Sequence, residues 1–118
     1  SGTLASHYAP RTPLEVWPTE TLQHRVDELL NQKYHVAILS WSEAFYSQHQ
    51  TTEKIIKSLK HHRMPSDPFD YGYHLYAKLH HLDDEGYDRL LVEMPPNLPD
   101  WLAVHDRLQR ASHHFAIR

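Results

Sequence analysis

Histidine is the residue type in excess, at 12 of 118 positions, with adjacent pairs at His61-His62, His80-His81 and His113-His114. Imidazoles can ligate metals or carry protons. Neighbouring residues on a helix or strand project in different directions, however, so a pair does not offer two ligands to one ion. The chain has no H-E-x-x-H, and its carboxylates do not fall at metal-ligand spacing. Lys78 stands four residues after His74, where a second ligand would be needed, and an ammonium group cannot ligate. Solvated surface histidines, and no metal site, are the expectation. Ser40, Ser42 and Ser47 have no evident partner set for nucleophilic catalysis. Asp83-Asp84-Glu85 falls at a predicted helix end, where acidic groups oppose the helix dipole, and reads as a solvated charge cluster. Arg107 is expected to form an ordinary surface ion pair with Asp100 or Glu93. No self-sufficient catalytic set emerges.

Glycine is the next requirement, because a backbone approaches a pyrophosphate closely only where side chains are absent. The chain has only Gly2, Gly72 and Gly86, which build neither a G-x-G-x-x-G turn nor a Walker loop. The net charge of -3 and the lack of a basic block argue against direct nucleic-acid binding. There are no cysteines, so disulfides and thiol chemistry are excluded, in keeping with a reducing, cytoplasmic setting. No apolar run approaches the roughly 20 residues of a membrane span, and no stretch reads as a signal peptide. A start at Ser1-Gly2 without methionine reads as a cloning remnant or a truncated larger protein.

These residues must be positioned by a small set of elements. Residues 1–13 read as a linker, in which Pro10 and Pro13 favour extended backbone. Leu4, His7 and Tyr8 are too large for a tether that touches nothing. Leu14-Glu15-Val16-Trp17 reads as a strand closed by Pro18. Thr19 is the expected N-cap of a helix whose apolar stripe is Leu22, Val26, Leu29 and Leu30, with Asn31 at its end. Val36-Ala37-Ile38-Leu39 is an unbroken apolar run, as in strands covered on both faces. Residues 42–50 read as an irregular connection, and a strand is expected near His61–Met64. Asp67 and Pro68 signal the start of a helix carrying Leu75, Leu79 and Leu82, with Gly86 as its stop. Leu90-Leu91-Val92 reads as another buried strand, ended by Pro95-Pro96. Trp101, Val104, Leu108, Ala111 and Phe115 share one face of a predicted last helix. Trp17, Trp41 and Trp101 read as core or rim packing. The alternation predicts an α/β fold: three-layer, Rossmann-like, a mainly parallel sheet with helices on both faces.

Three stretches then resemble a known family. Thr3-Leu4-Ala5-Ser6-His7-Tyr8-Ala9-Pro10-Arg11-Thr12-Pro13-Leu14 is similar to the S-P-G-x-x-x-x-H-Y-A-P linker of long-form threonylcarbamoyl-AMP synthases, with His7-Tyr8-Ala9-Pro10 matching, and Ser1 and Gly2 too if one proline is absent. Tyr73-His74-Leu75-Tyr76-Ala77-Lys78-Leu79-His80-His81-Leu82-Asp83 resembles that family's L-Y-A-A-L-R-x-L-D helix. Asp88-Arg89-Leu90-Leu91-Val92-Glu93 and Asp106-Arg107-Leu108-Gln109-Arg110-Ala111 resemble its final strand and N-D-R-L-R-R-A helix. His105 stands where the family has asparagine, and Pro95-Pro96-Asn97-Leu98-Pro99 replaces a glycine-containing turn. Any phosphate contact at that turn is thereby put in question.

The resemblance implies a two-part enzyme. Residues 1–13 would be the interdomain linker, and residues 14–118 a C-terminal accessory domain without chemistry of its own. An N-terminal catalytic domain of the same polypeptide would bind ATP, L-threonine and bicarbonate, with Mg expected beside the nucleotide. It would make threonylcarbamoyl-AMP for threonylcarbamoyladenosine in tRNA. The linker would cover the catalytic cleft, making Ser6, His7 and Tyr8 the candidates to touch bound ligand. This segment itself would carry no cofactor. Two other classes stay open: a free-standing interaction domain without catalysis, and a histidine-based metal-binding module.

Overall fold

The computed structural model of the chain describes residues 9–46 and 58–115. In chain order it contains β1 (Leu14–Trp17), α1 (Thr19–Asn31), β2 (Val36–Ser40) and β3 (Leu59–Arg63). There follow α2 (Pro68–Asp83), β4 (Arg89–Glu93), a 3-10 turn (Pro99–Trp101), α3 (Leu102–Ala111) and β5 (His114–Phe115). The strands form one sheet in the order β3-β2-β4-β1-β5, and every pairing is parallel. This is the expected three-layer, Rossmann-like α/β arrangement.

Handedness explains which helix lies where. The connections β1→β2 and β2→β3 step across the sheet in one direction, while β3→β4 and β4→β5 step back in the other. Right-handed crossovers therefore place the first pair on one face and the second pair on the opposite face. Leu22, Val26 and Leu29 of α1, with Phe45, pack on Val36, Ile38, Leu59 and Leu91. Leu75, Leu79 and Leu82 of α2 and Val104 and Leu108 of α3 pack on Leu14, Val16, Ala37, Leu39, Leu90 and Val92. Alternate residues of β2 and β4 thus serve two cores, which is why their sequences are apolar without a break. β1 spends only Leu14 and Val16 on the two-helix face and turns Glu15 and Trp17 toward α1.

Local chemistry sets the element ends. Asp67 caps α2 by accepting from the amides of Phe69 and Asp70, both at 3.0 Å. α1 closes in a Schellman motif: Tyr34 N donates to Leu29 O and Lys33 N to Leu30 O, with Lys33 at φ 69°. Gly86, at φ 82°, follows α2 as expected. Three expectations need correcting. Thr19 is not an N-cap; it is the first residue of α1, flanked by Pro18, and its hydroxyl turns to Glu93 instead. Residues 43–46 are not irregular but form a helical turn, started by the Ser42 hydroxyl accepting from Phe45 N; residues 47–57 lie outside those described. Phe115 is not on α3. The helix stops at Ala111, Ser112 is extended, and His113 N donates to Leu14 O, so His114 and Phe115 add a fifth strand beside β1.

Glu15 is the one carboxylate of β1, 7% exposed against α1. Arg25 grips it with two bonds of 2.8 and 2.9 Å, Trp17 Nε1 donates at 2.8 Å, and Arg89 lies 3.4 Å away. Burial alone would push this carboxyl up, but the hydrogen bonds from Arg25 and Trp17 and the charges of Arg25 and Arg89 hold it below the usual range. A depressed carboxylate pKa contributes stability above its unfolded value of about 4.3, lost as pH falls through the folded value. Glu15→Gln should therefore destabilise the chain by about 2 kcal/mol near neutral pH. The gap in urea midpoint between variant and parent should shrink at pH 3, and a gap independent of pH would contradict this account.

Candidate functional site

In open α/β sheets ligands bind beyond the carboxyl ends of the strands, where neighbouring strands send their connections to opposite faces. Here those neighbours are β2 and β4. β2 runs on into Trp41-Ser42 on the α1 side, while β4 runs into Met94 and the turn leading to α3. Glu93 stands at this point, fully buried. One of its oxygens accepts from Trp41 N at 2.9 Å and Ser42 N at 3.1 Å. The other accepts from Thr19 Oγ1 at 2.6 Å and Ser42 Oγ at 2.7 Å.

Two backbone amides at a helical start, with two hydroxyls beside them, are the kind of donor set that cradles a phosphate. The Glu93 carboxylate already occupies it. Trp41 roofs the crevice, with Nε1 donating to Met94 O at 2.8 Å and its ring 6.3 Å from that of Trp101. Tyr71 lies fully buried on the α2 side; burial first, and then the charge of Glu93, push its phenol well above the usual value. The glycine-poor sequence and the filled crevice agree: the nucleotide position of this architecture is stoppered from within.

The expected Arg107–Glu93 or Arg107–Asp100 surface pair is not what the structure contains. Glu93 is held by Thr19, Trp41 and Ser42, while Arg107 lies over the Tyr76 ring, 5.9 Å from its centroid. Asp106 pairs with Arg110 at 3.1 Å. Ser40 does have a partner that sequence reasoning missed: its hydroxyl lies 2.7 Å from His61 Nε2. Both residues are buried, with the Phe45 ring edge-on to the imidazole at 5.5 Å and the Tyr46 ring tilted against it at 4.9 Å. A hydroxyl–imidazole pair is the start of a nucleophilic set. Buried beside Phe45 and Tyr46, this one acts as a polar pair in the core. His105 was noted only as a departure from the family, yet its Nε2 lies 3.1 and 2.9 Å from the carbonyls of Pro95 and Pro96. Carbonyls only accept, so that nitrogen carries the proton, and it ties the β4–α3 turn to α3.

The opposite edge of the sheet holds a second polar centre. Asp83, at the end of α2, accepts from Thr12 N at 2.9 Å, Thr12 Oγ1 at 2.7 Å and Arg11 N at 3.0 Å. Its side chain is 7% exposed, whereas that of Asp84 is 79% exposed. The solvated-cluster expectation thus fits Asp84 and fails for Asp83. Opposing the helix dipole costs about 0.3–1 kcal/mol. Hydrogen bonds to a charged acceptor contribute about 1.5–3 kcal/mol each, so the clamp wins. It fixes the backbone just before β1. The candidates Ser6, His7 and Tyr8 lie outside the described residues. Among the described residues no group of three potential metal ligands converges, and no helix is long and apolar enough to cross a membrane.

Because Glu93 joins the ends of three strands, Glu93→Gln should lower stability by about 2 kcal/mol, one amide N–H being forced against existing donors. Chemical denaturation measures this, and an unchanged midpoint would show that the crevice does not depend on the carboxylate.

The family model for the threonylcarbamoyl-AMP synthase C-terminal domain matches residues 1–113. A search of curated proteins finds no match. The family match runs from the leading segment through every strand and helix up to the last turn before β5. The chain belongs to the threonylcarbamoyl-AMP synthase C-terminal domain family.

Proposed function

We propose that this domain acts as the accessory module of an L-threonylcarbamoyladenylate synthase, holding one end of a strap that covers the catalytic cleft of an N-terminal domain on the same polypeptide. In that cleft ATP, L-threonine and bicarbonate are converted, with Mg, to threonylcarbamoyl-AMP for tRNA modification in the cytoplasm. Residues 1–13 are the strap, and residues 14–118 are the body that carries it. Ser6, His7 and Tyr8 are the strap residues that touch the ligand.

The observation that carries this reading is the grip of Asp83 on Arg11 and Thr12. A chain extends at most about 3.3–3.6 Å per residue, so Tyr8, three residues before Arg11, stays within about 11 Å of the anchor. A short tether of this kind raises the local concentration of a contact group without adding any contact. Tyr8 brings a hydroxyl and an aromatic face, suited to shielding a polar intermediate from water. The Glu93 stopper supports an accessory role, because the crevice that would bind nucleotide is filled by the protein's own carboxylate.

A docking role toward a protein partner has its own support. Phe69, Tyr73, Leu98 and Leu102 are 73%, 83%, 59% and 68% exposed, all at the amino ends of α2 and α3. Exposed apolar clusters of this kind mark interaction surfaces.

The strap reading is tested in a full-length synthase carrying this domain. Asp83→Ala should slow adenylate formation about tenfold, the equivalent of about 1.4 kcal/mol. Asp83→Asn, which keeps an acceptor oxygen for Thr12, should recover part of the loss, and Asp84→Ala should have no effect. Removal of residues 1–13 should impair turnover at least as much. Turnover unaltered by both Asp83→Ala and the deletion, with the domain still folded, would refute the role of the strap.

A further inference from the structure

A groove of about 380 Å³ lies between the end of β3 and the outer face of α2; it shares no lining residue with the Asp83 clamp or the Glu93 crevice, although His81 stands two residues before Asp83. Its walls include Met64, Pro65 and Ala77, and its ionisable lining is Arg63, His74, Lys78 and His81. The three of these on α2, His74, Lys78 and His81, are all basic.

The placement follows from helix geometry. His74, Lys78 and His81 fall at i, i+4 and i+7 and share one face of α2, spanning about 10 Å at 1.5 Å per residue. Ala77 between them is small and leaves the floor open. Arg63 ends the neighbouring edge strand but stands opposite Ser40, so its guanidinium turns to the α1 side of the sheet, where it is paired with Glu43 and lies 5.3 Å from the Tyr46 ring centroid. Further down β3, Lys60 and His62 stand opposite Ala37 and Leu39, the β2 residues that pack under α2, so both are on the α2 side of the sheet. Two carboxylates contact lining residues among those described: Glu85, 3.0 Å from His81, and Glu43, paired with Arg63. Lys78 makes no ion pair among the described residues, although it is only partly exposed.

We propose that this groove is a binding site for small phosphate-bearing anions, with Lys78 as the central ionic contact and His74 and His81 as flanking donors. The volume lies near the lower end of small-molecule sites, roughly 300–1,000 Å³, which suits a phosphorylated metabolite. The chemistry excludes a cation: an ammonium group in the middle of the lining repels a metal, and no three metal-ligating groups converge among the described residues. This inference does not depend on the strap, and the two stand or fall separately.

The experiment is a titration of the 118-residue chain, followed by amide NMR shifts and calorimetry, with pyrophosphate and with sulfate. Saturable shifts centred on residues 63–65 and 74–81 are expected with both anions. Lys78→Glu should weaken binding at least tenfold. Lys78→Gln should give the same direction of change, so the test does not rely on charge reversal being tolerated. Replacing both His74 and His81 by Gln should weaken binding by less than either Lys78 variant does, leaving pyrophosphate binding measurable. The proposal is overturned by shifts that fail to saturate, by unaltered affinity in both Lys78 variants, or by a response to an RNA oligonucleotide with none to pyrophosphate.

Discussion

A carboxylate cannot be buried without donors, and the organisation of this domain follows from how it meets that constraint at Glu93. An unpaired charge in a low-dielectric interior costs several kcal/mol, so the sequence must bring partners from elsewhere. They come from Thr19 at the head of α1 and from Trp41 and Ser42 beyond β2. The three strands β2, β4 and β1 are neighbours in the sheet, and Glu93 ties their carboxyl ends together. The same interaction removes the site that the architecture would otherwise offer. Amides and hydroxyls that could receive a phosphate are spent on an internal anion, and the crevice becomes a structural joint.

The consequence is a division of labour between the two edges of the sheet. At the carboxyl edge the polar groups are satisfied internally and roofed by Trp41 and Trp101. At the amino edge Asp83 fixes a segment that arrives from outside the core. A module built this way is suited to holding a chain segment in place more than to transforming a molecule. The apolar surface formed by Phe69, Tyr73, Leu98 and Leu102 lies at the carboxyl-edge ends of the helices. The clamp and this surface are therefore set apart along α2, since Phe69 and Tyr73 precede Asp83 by 14 and 10 residues, about 21 and 15 Å of helix.

The fold was legible in the sequence wherever a short-range pattern carried it. Unbroken apolar runs at Val36–Leu39 and Leu90–Val92 marked strands covered on both faces, and Asp67-Pro68 marked a helix start. The lost details share one cause. Thr19 has the chemistry of an N-cap, but Glu93, 74 residues away, competes for its hydroxyl and wins. Phe115 fits a helical spacing, but the edge of β1 offers backbone partners to the chain's last turn. β5 has only two residues, too few for any alternation to register. Among candidate site residues, the family resemblance marked residues 1–13 as a linker, but its anchoring through Arg11 and Thr12 had no signal in the sequence. Asp83 looked like one of three solvated acids, because nothing local separates it from Asp84.

That pattern extends beyond Asp83 and Glu93. Asp88 accepts from His35 N at 2.7 Å across 53 residues, and Asp67 accepts from two amides of its own helix. Four carboxylates thus bind backbone amides at the ends of helices and strands, in a chain with only three glycines. Orphan amides must be satisfied somehow: by tight glycine turns, by water or by side-chain acceptors. With few glycines to shape the turns, this sequence uses acidic side chains as acceptors, and most of them act over long sequence separations. Three of the four join segments more than fifty residues apart, so they also select which strand ends lie together. The acidic balance of the chain is therefore partly structural, and the basic groove beside α2 stands apart from it as a feature that the fold does not require.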